Sequence, residues 1–149
     1  MSKPGAVAYE TTHSVRDTCL CFGAQRAARA LARRFDEVFR PLGLTNGQFS
    51  LLNALNRPSP APLGAVARLL SMDRTTLTAA LKPLERRGLV TIAGDPRDRR
   101  SHLLTLTPAG HAVLAEALPL WRRAHATLEK RLGDPTALRR GLAVLAEMA

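Results

Sequence analysis

Between Leu89 and Thr107 the chain reads LVTIAGDPRDRRSHLLTLT, two short apolar runs parted by a crowd of charges at Asp95, Arg97, Asp98, Arg99 and Arg100. Short apolar runs rich in Leu, Val, Ile and Thr, interrupted by Gly94 and Pro96, predict two strands, about 89–93 and 102–106, closed into a hairpin. Everything on either side has helical spacing. Any fold for this chain must therefore place one β-hairpin with a charged tip among helices, so the expected class is mainly α with a small β-hairpin.

The helices follow from local signals. Residues 14–40 lack proline and are rich in Ala, Arg and Leu, which predicts one long helix. Leu20, Ala24, Ala27, Ala28, Leu31, Phe35, Val38 and Phe39 recur at helical spacing along it, with Arg26, Arg29, Arg33, Arg34 and Arg40 mostly on other faces. Residues 1–12 read as a flexible arm. Thr45 followed by Gln48 is a capping box and starts a helix over 46–56. Pro58, Pro60 and Pro62 enforce an extended link. Leu63, Val66, Ala67, Leu69 and Leu70 mark a short helix, Ser71-Met72 a turn, and Asp73 the cap of a further helix ending near Arg87-Gly88. Pro83 lies inside that helix and predicts a bend near 79–83. Thr107-Pro108 opens a long helix to about 131, bent by Pro119, and Asp134-Pro135 opens a last one over 136–148.

Two short helices, a tight turn and a hairpin make a winged helix-turn-helix over 45–107. The second helix of such a pair enters the major groove, and the hairpin tip reaches the flanking backbone or minor groove. Leu77, Leu81 and Leu84 supply an inward stripe. Arg74, Thr75, Thr76, Thr78, Ala79 and Lys82 are left facing out, as short polar groups and cations suited to base edges and phosphates. In the tip, Arg97, Arg99 and Arg100 are DNA-contact candidates beside Asp98, which can hold a neighbouring guanidinium. Between 74 and 100 the cations (Arg74, Lys82, Arg86, Arg87, Arg97, Arg99, Arg100) outnumber the acids (Glu85, Asp95, Asp98).

The whole chain has 22 Lys and Arg against 12 Asp and Glu, a formal charge of +10 over 149 residues. That points to a polyanionic partner, double-stranded DNA ahead of an anionic membrane surface. No apolar stretch approaches the roughly 20 residues that span a bilayer, and the N-terminus lacks the apolar core of a signal peptide, so a cytoplasmic protein is expected. No nucleophile–base pair, phosphate loop or metal motif stands out, so neither an enzyme nor a cofactor is expected. A non-specific DNA-coating protein would explain the charge, but not the threonines on the reading helix.

The segments Leu84-Glu85-Arg86-Arg87-Gly88-Leu89-Val90, Asp98-x-Arg100 and Leu106-Thr107-x-x-Gly110, in this order and spacing, resemble the MarR family of bacterial transcriptional regulators. The resemblance extends over about 14–148. It implies a homodimer in which the flanking segments, 13–44 and 108–149, intertwine as dimerisation helices and present two winged modules to a palindromic operator. It further implies a repressor released by a small phenolic or aromatic carboxylate ligand bound between the lobes. Arg100 matches the family arginine that enters the minor groove, and Asp98 the partner that orients it. The terminal helices support a dimer on their own account. Val113, Leu114, Leu118, Leu120, Trp121, Leu128, Leu132, Leu138, Leu142, Val144 and Leu145 exceed what a free appendage needs.

The two cysteines, Cys19 and Cys21, carry a separate question. Leu20-Cys21-Phe22 resembles the thiol segment of the OhrR-like, organic-peroxide-sensing branch, in which oxidation of the cysteine loosens DNA. That branch holds its thiol with two tyrosines, at positions matched here by Phe35 and Asn46. On one helix Cys19 and Cys21 point to nearly opposite sides and do not pair with each other. Small packing residues, a redox thiol at Cys21 or Cys19, and metal binding stay open. For metal, Cys-x-Cys with the scattered His13, His111 and His125 lacks a convincing ligand set.

Overall fold

The computed structural model describes residues 5–148. In chain order the elements are α1 (Tyr9–Thr18), α2 (Leu20–Phe39), a 3-10 turn (Arg40–Leu42), α3 (Asn46–Leu55), β1 (Ala61–Pro62), α4 (Leu63–Leu69), α5 (Arg74–Arg86), β2 (Val90–Asp95), β3 (Asp98–Leu106), α6 (Pro108–Leu132) and α7 (Thr136–Glu147).

Where the sequence predicts one helix over 14–40 there are two. Cys19 is extended (φ −72°, ψ 113°), and its Sγ accepts the Phe22 N–H at 3.4 Å as the cap of α2. Thr18 meanwhile donates its hydroxyl to the Ser14 carbonyl at 2.7 Å, an alternative partner that helix ends favour. No residue of α1 is buried, so no packing holds the two helices in one line. Because Cys19 sits outside α2, the single-helix geometry that kept the two thiols apart does not apply. The expected arm is also shorter than residue 12, since α1 begins at Tyr9; residues 1–4 of it lie outside the described residues.

The sheet is larger than a hairpin. Ala61 and Pro62, expected only as a link, pair antiparallel with Leu104 and Leu103, giving three strands in the order β1-β3-β2. Proline fits there because β1 is an edge strand. The strands also reach further into the charged tip than the apolar runs predict. Asp95 pairs with Asp98, so the turn itself is only Pro96-Arg97. The register then jumps from Gly94↔His102 to Asp95↔Asp98, so Arg99, Arg100 and Ser101 form a bulge in β3.

The core sits between α3, α5 and the sheet. Leu77, Leu81 and Leu84 of α5 are fully buried against Leu52, Val66, Val90 and Leu104, and Phe39 enters from the end of α2. Phe39 stacks on Phe49 with centroids 4.4 Å apart, and Phe35 stacks on Phe39 in turn. Both α5 and α6 continue through their internal prolines, Pro83 and Pro119. Pro83 has no N–H for the Ala79 carbonyl, but Ala79 is exposed, so water can serve that carbonyl.

The Leu106-Thr107-x-x-Gly110 motif acquires a physical reason. Thr107 donates its hydroxyl to the Gly88 carbonyl (2.6 Å), accepts the Gly110 N–H (3.0 Å), and gives its own N–H to the Leu89 carbonyl (3.1 Å). This draws the first turn of α6 onto the base of the wing. A Cβ on Gly110 would lie 2.1 Å from the Leu89 carbonyl oxygen, so only glycine fits.

The outer helices are unlike this core. α1 and α7 bury nothing and α2 buries only Phe39. Leu20, Phe22, Leu31, Leu138, Leu142 and Val144 stand exposed.

Candidate nucleic-acid interface

The site is built on α5 and the wing. Burial of Leu77, Leu81 and Leu84 fixes the rotation of α5 and turns Arg74, Thr75, Thr76, Thr78, Ala79 and Lys82 to solvent. Asp73 caps the helix, accepting the Thr76 N–H (2.7 Å) and the Thr76 hydroxyl (2.6 Å). Those two bonds hold the Asp73 carboxyl below the usual carboxylate range, the hydroxyl contributing most. The Thr76 proton is thus committed to the cap, and its oxygen remains able to accept. Thr78 donates its hydroxyl back to the Arg74 carbonyl at 2.8 Å. Lys82 reaches Glu85 at 3.5 Å, an exposed pair that leaves its ammonium accessible.

In the wing, Arg97, Asp98, Arg99 and Arg100 are all exposed. Asp98 does not meet the Arg100 guanidinium. Its Oδ1 accepts the Arg100 backbone N–H at 2.9 Å, as Asp95 Oδ1 accepts that of Arg97. Each carboxylate shapes the loop through a backbone N–H and leaves the guanidinia of Arg97, Arg99 and Arg100 exposed.

Two cations serve unexpected ends. Arg87, counted with the basic surface, donates to the carbonyls of Gly43 (2.8 Å) and Leu42 (3.1 Å), tying the end of α5 to the connection between α2 and α3. Arg68 on α4, which the helical pattern did not single out, lies beside Arg74 over Gly64. Its position one turn beyond a glycine was the only hint. A second tie is Asp36, which accepts the Asn46 N–H (2.7 Å) and Nδ2 (2.8 Å). The backbone bond first, then the side-chain bond, holds the Asp36 carboxyl below the usual range.

Cys21 is exposed and accepts Gln25 Nε2 at 3.1 Å; Arg29 donates to the Gln25 oxygen at 3.1 Å. The two positions matched to thiol-holding tyrosines are engaged elsewhere in this chain, Phe35 in the aromatic stack and Asn46 on Asp36. His125 stacks on Trp121 and approaches Glu129, and His13 lies edge-on to Tyr9. Among the described residues, no group of three His, Cys, Asp or Glu could hold a metal ion. No helix among them is long and apolar enough to cross a membrane. An apolar cleft of about 420 Å³ opens between α3, α4 and α6, lined by Phe49, Ala54, Leu69, Leu70, Leu118 and Trp121.

The MarR family profile matches residues 42–101, from the 3-10 turn to the bulge of the wing. The transcriptional regulator MosR of M. tuberculosis, solved in complex with DNA, superposes with a TM-score of 0.80 at 38% identity, covering 87% of this chain and 95% of that one. The transcriptional repressor CouR bound to a 23-mer DNA duplex gives a TM-score of 0.74 at 32% identity over 90% of this chain and 94% of its own. CouR has also been solved bound to p-coumaroyl-CoA. The transcriptional activatory protein BadR of Rhodopseudomonas palustris is 37% identical over 97 residues, 63% of this chain and 55% of BadR, so the match spans about half of that relative.

Proposed function

The chain belongs to the MarR family of winged helix-turn-helix transcriptional regulators, and from that premise we propose a homodimeric, sequence-specific repressor released by a small aromatic ligand. One observation carries the reading. The helix that packs its leucines at zero exposure turns a face of threonines and cations to solvent, beside a wing whose arginines are all exposed. A face of that chemistry and width suits the major groove, and the wing arginines suit the narrower groove alongside. The module over 45–107 is then the reading unit. The exposed apolar residues of α1, α2 and α7 favour a second copy as their cover, and a twofold dimer calls for a palindromic operator.

The ligand reading rests on the cleft beside Phe49 and Trp121. Its volume falls in the range of small-molecule sites, and its walls join α6 to the helix pair that carries the reading face. A molecule wedged there changes how the module sits on the dimerisation helices. CouR, with its p-coumaroyl-CoA complex, supports an aromatic acid or its thioester as the ligand class.

A mobility shift on the protein's own promoter, with footprinting, tests this. A footprint confined to one palindrome, lifted by aromatic acids or their thioesters, is the expected result. Uniform coating of any DNA would replace it with the non-specific reading. A promoter reporter that falls when the gene is deleted would turn the repressor into an activator.

The Gln25–Cys21 hydrogen bond favours a second reading, in which the exposed Cys21 thiol is the sensor. The sulfur is open to solvent and is held by that one amide donor. Loss of DNA binding on hydroperoxide treatment, absent in Cys21→Ser, supports that reading; indifference of the wild-type protein to peroxide removes it.

A further inference from the structure

We infer that Arg68 and Arg74 form a two-guanidinium clamp for a single DNA-backbone phosphate, so that Arg74 positions the reading helix instead of reading a base. The inference rests on the DNA-binding reading above and deepens it.

By sequence, Arg74 opens the recognition helix, where a cation can read a base edge or hold a phosphate. In the structure its side chain folds back across the seam between α4 and α5. A Cβ on Gly64 would stand 2.8 Å from Arg74 Nη2 and 3.7 Å from Arg68 Nη1. Gly64 therefore keeps open the space in which the two guanidinia come together. Like charges side by side repel, and a carboxylate between them would be the ordinary remedy. Among the described residues neither guanidinium has one within salt-bridge distance. Asp73, next in the chain, spends its carboxylate on capping α5. Glu147 of α7 lines, with Gly64, Arg68 and Arg74, a cleft of about 840 Å³ without pairing with either arginine.

The pair thus has the chemistry of an anion site lacking its anion. One guanidinium fork suffices for a guanine edge, whereas two forks converging on one point suit the several oxygens of a single phosphate. Its place in the fold selects the source. In a helix-turn-helix the first helix crosses the DNA backbone while the second enters the groove, so the seam between them, where Arg68 in the last turn of α4 meets Arg74 at the start of α5, faces the phosphates.

The test measures full-length protein on its footprinted promoter duplex and on a random duplex of equal length, by fluorescence anisotropy over a salt series. Arg74→Ala and Arg68→Ala should each weaken both duplexes by the same factor, leaving the preference for the promoter intact. Either single replacement should barely change the salt slope, because the remaining guanidinium still neutralises the phosphate. The double replacement should lower it by about 0.9 per protomer, the value for one phosphate. Gly64→Ala, which keeps both arginines but crowds them, should weaken both duplexes without lowering net charge.

A selective loss on the promoter by Arg74→Ala would restore the base-reading role and overturn the clamp. Additive slope changes in the two single variants would mean separate phosphates and overturn it as well. Unchanged binding in the double variant would remove both residues from the interface while leaving the regulator reading intact. Wild-type protein that binds neither duplex would sink both proposals together.

Discussion

Replacing Gly110 with alanine isolates the contact that fastens the wing to the long helix. The added methyl carbon would lie 2.1 Å from the Leu89 carbonyl oxygen, 2.7 Å from Leu106 Cδ1 and 3.1 Å from Leu106 Cγ. An unstrained carbon–oxygen contact is about 3.3 Å or more, so something must move by more than an ångström. The oxygen is backbone and is pinned by the Thr107 N–H; Leu106 is packed in the core at 5% exposure. Alanine gains up to about 1 kcal/mol over glycine as a helix former. Overpacking costs roughly 1–3 kcal/mol, and more where the obstacle is rigid. A pinned backbone oxygen puts this site at or above the top of that range, so the net expectation is a loss of about 2 kcal/mol or more, a fall in Tm of roughly 4–8 °C or more for a chain of this size. Gly47→Ala is the control. It sits in the first turn of α3 with its nearest neighbour, Thr45 Oγ1, at 3.9 Å, so its melting should be unchanged or slightly raised. Melting followed by far-UV circular dichroism decides the matter. A Gly110→Ala protein as stable as wild type would refute the reasoning that this glycine exists for close approach.

Three further outcomes follow from the same geometry. Asp36→Ala should lower stability by roughly 1–2 kcal/mol at neutral pH by stripping two hydrogen bonds from a carboxylate; because the folded Asp36 carboxyl titrates below its unfolded value near 3.9, its contribution is present above about pH 4 and lost as pH falls through the folded value, so Asp36→Asn should flatten that acid limb in a pH series of melts. Asp98→Asn should keep promoter affinity or tighten it, since an amide oxygen still accepts the Arg100 N–H and a negative charge is gone, whereas Asp98→Ala should weaken it; equal weakening by both in anisotropy titrations would restore a guanidinium-orienting role. Ser71 holds φ +51° between α4 and α5, so Ser71→Val should cost about 1–2 kcal/mol in thermal melting while Ser71→Gly costs little or nothing, and a harmless valine would contradict that backbone strain.

What is local was legible in the amino acids alone. The Thr45–Gln48 box, the Asp73 and Thr107 caps and the Leu77-Leu81-Leu84 stripe each act within one helical turn or face, and the structure contains them where the spacing predicts. The outward face of α5 follows, because a helix with a fixed buried stripe has only one side left. Tertiary structure decided the pairings between segments far apart in the chain. Ala61-Pro62 becomes a strand only because Leu103-Leu104 offers it a partner, and Arg87 becomes a tie only because the Gly43 and Leu42 carbonyls arrive beside it. Asp36 finds Asn46 across a helix end, and Arg68 meets Arg74 across a glycine. The break at Cys19 has a different origin: Thr18 bonding the Ser14 carbonyl and Cys19 capping Phe22 are both local, and they outweigh a composition rich in Ala and Arg that favours one helix. Periodicity encodes which side of an element is apolar. It does not encode which carbonyl, carboxylate or guanidinium the folded chain will bring opposite a given side chain, because that depends on the path of the whole backbone.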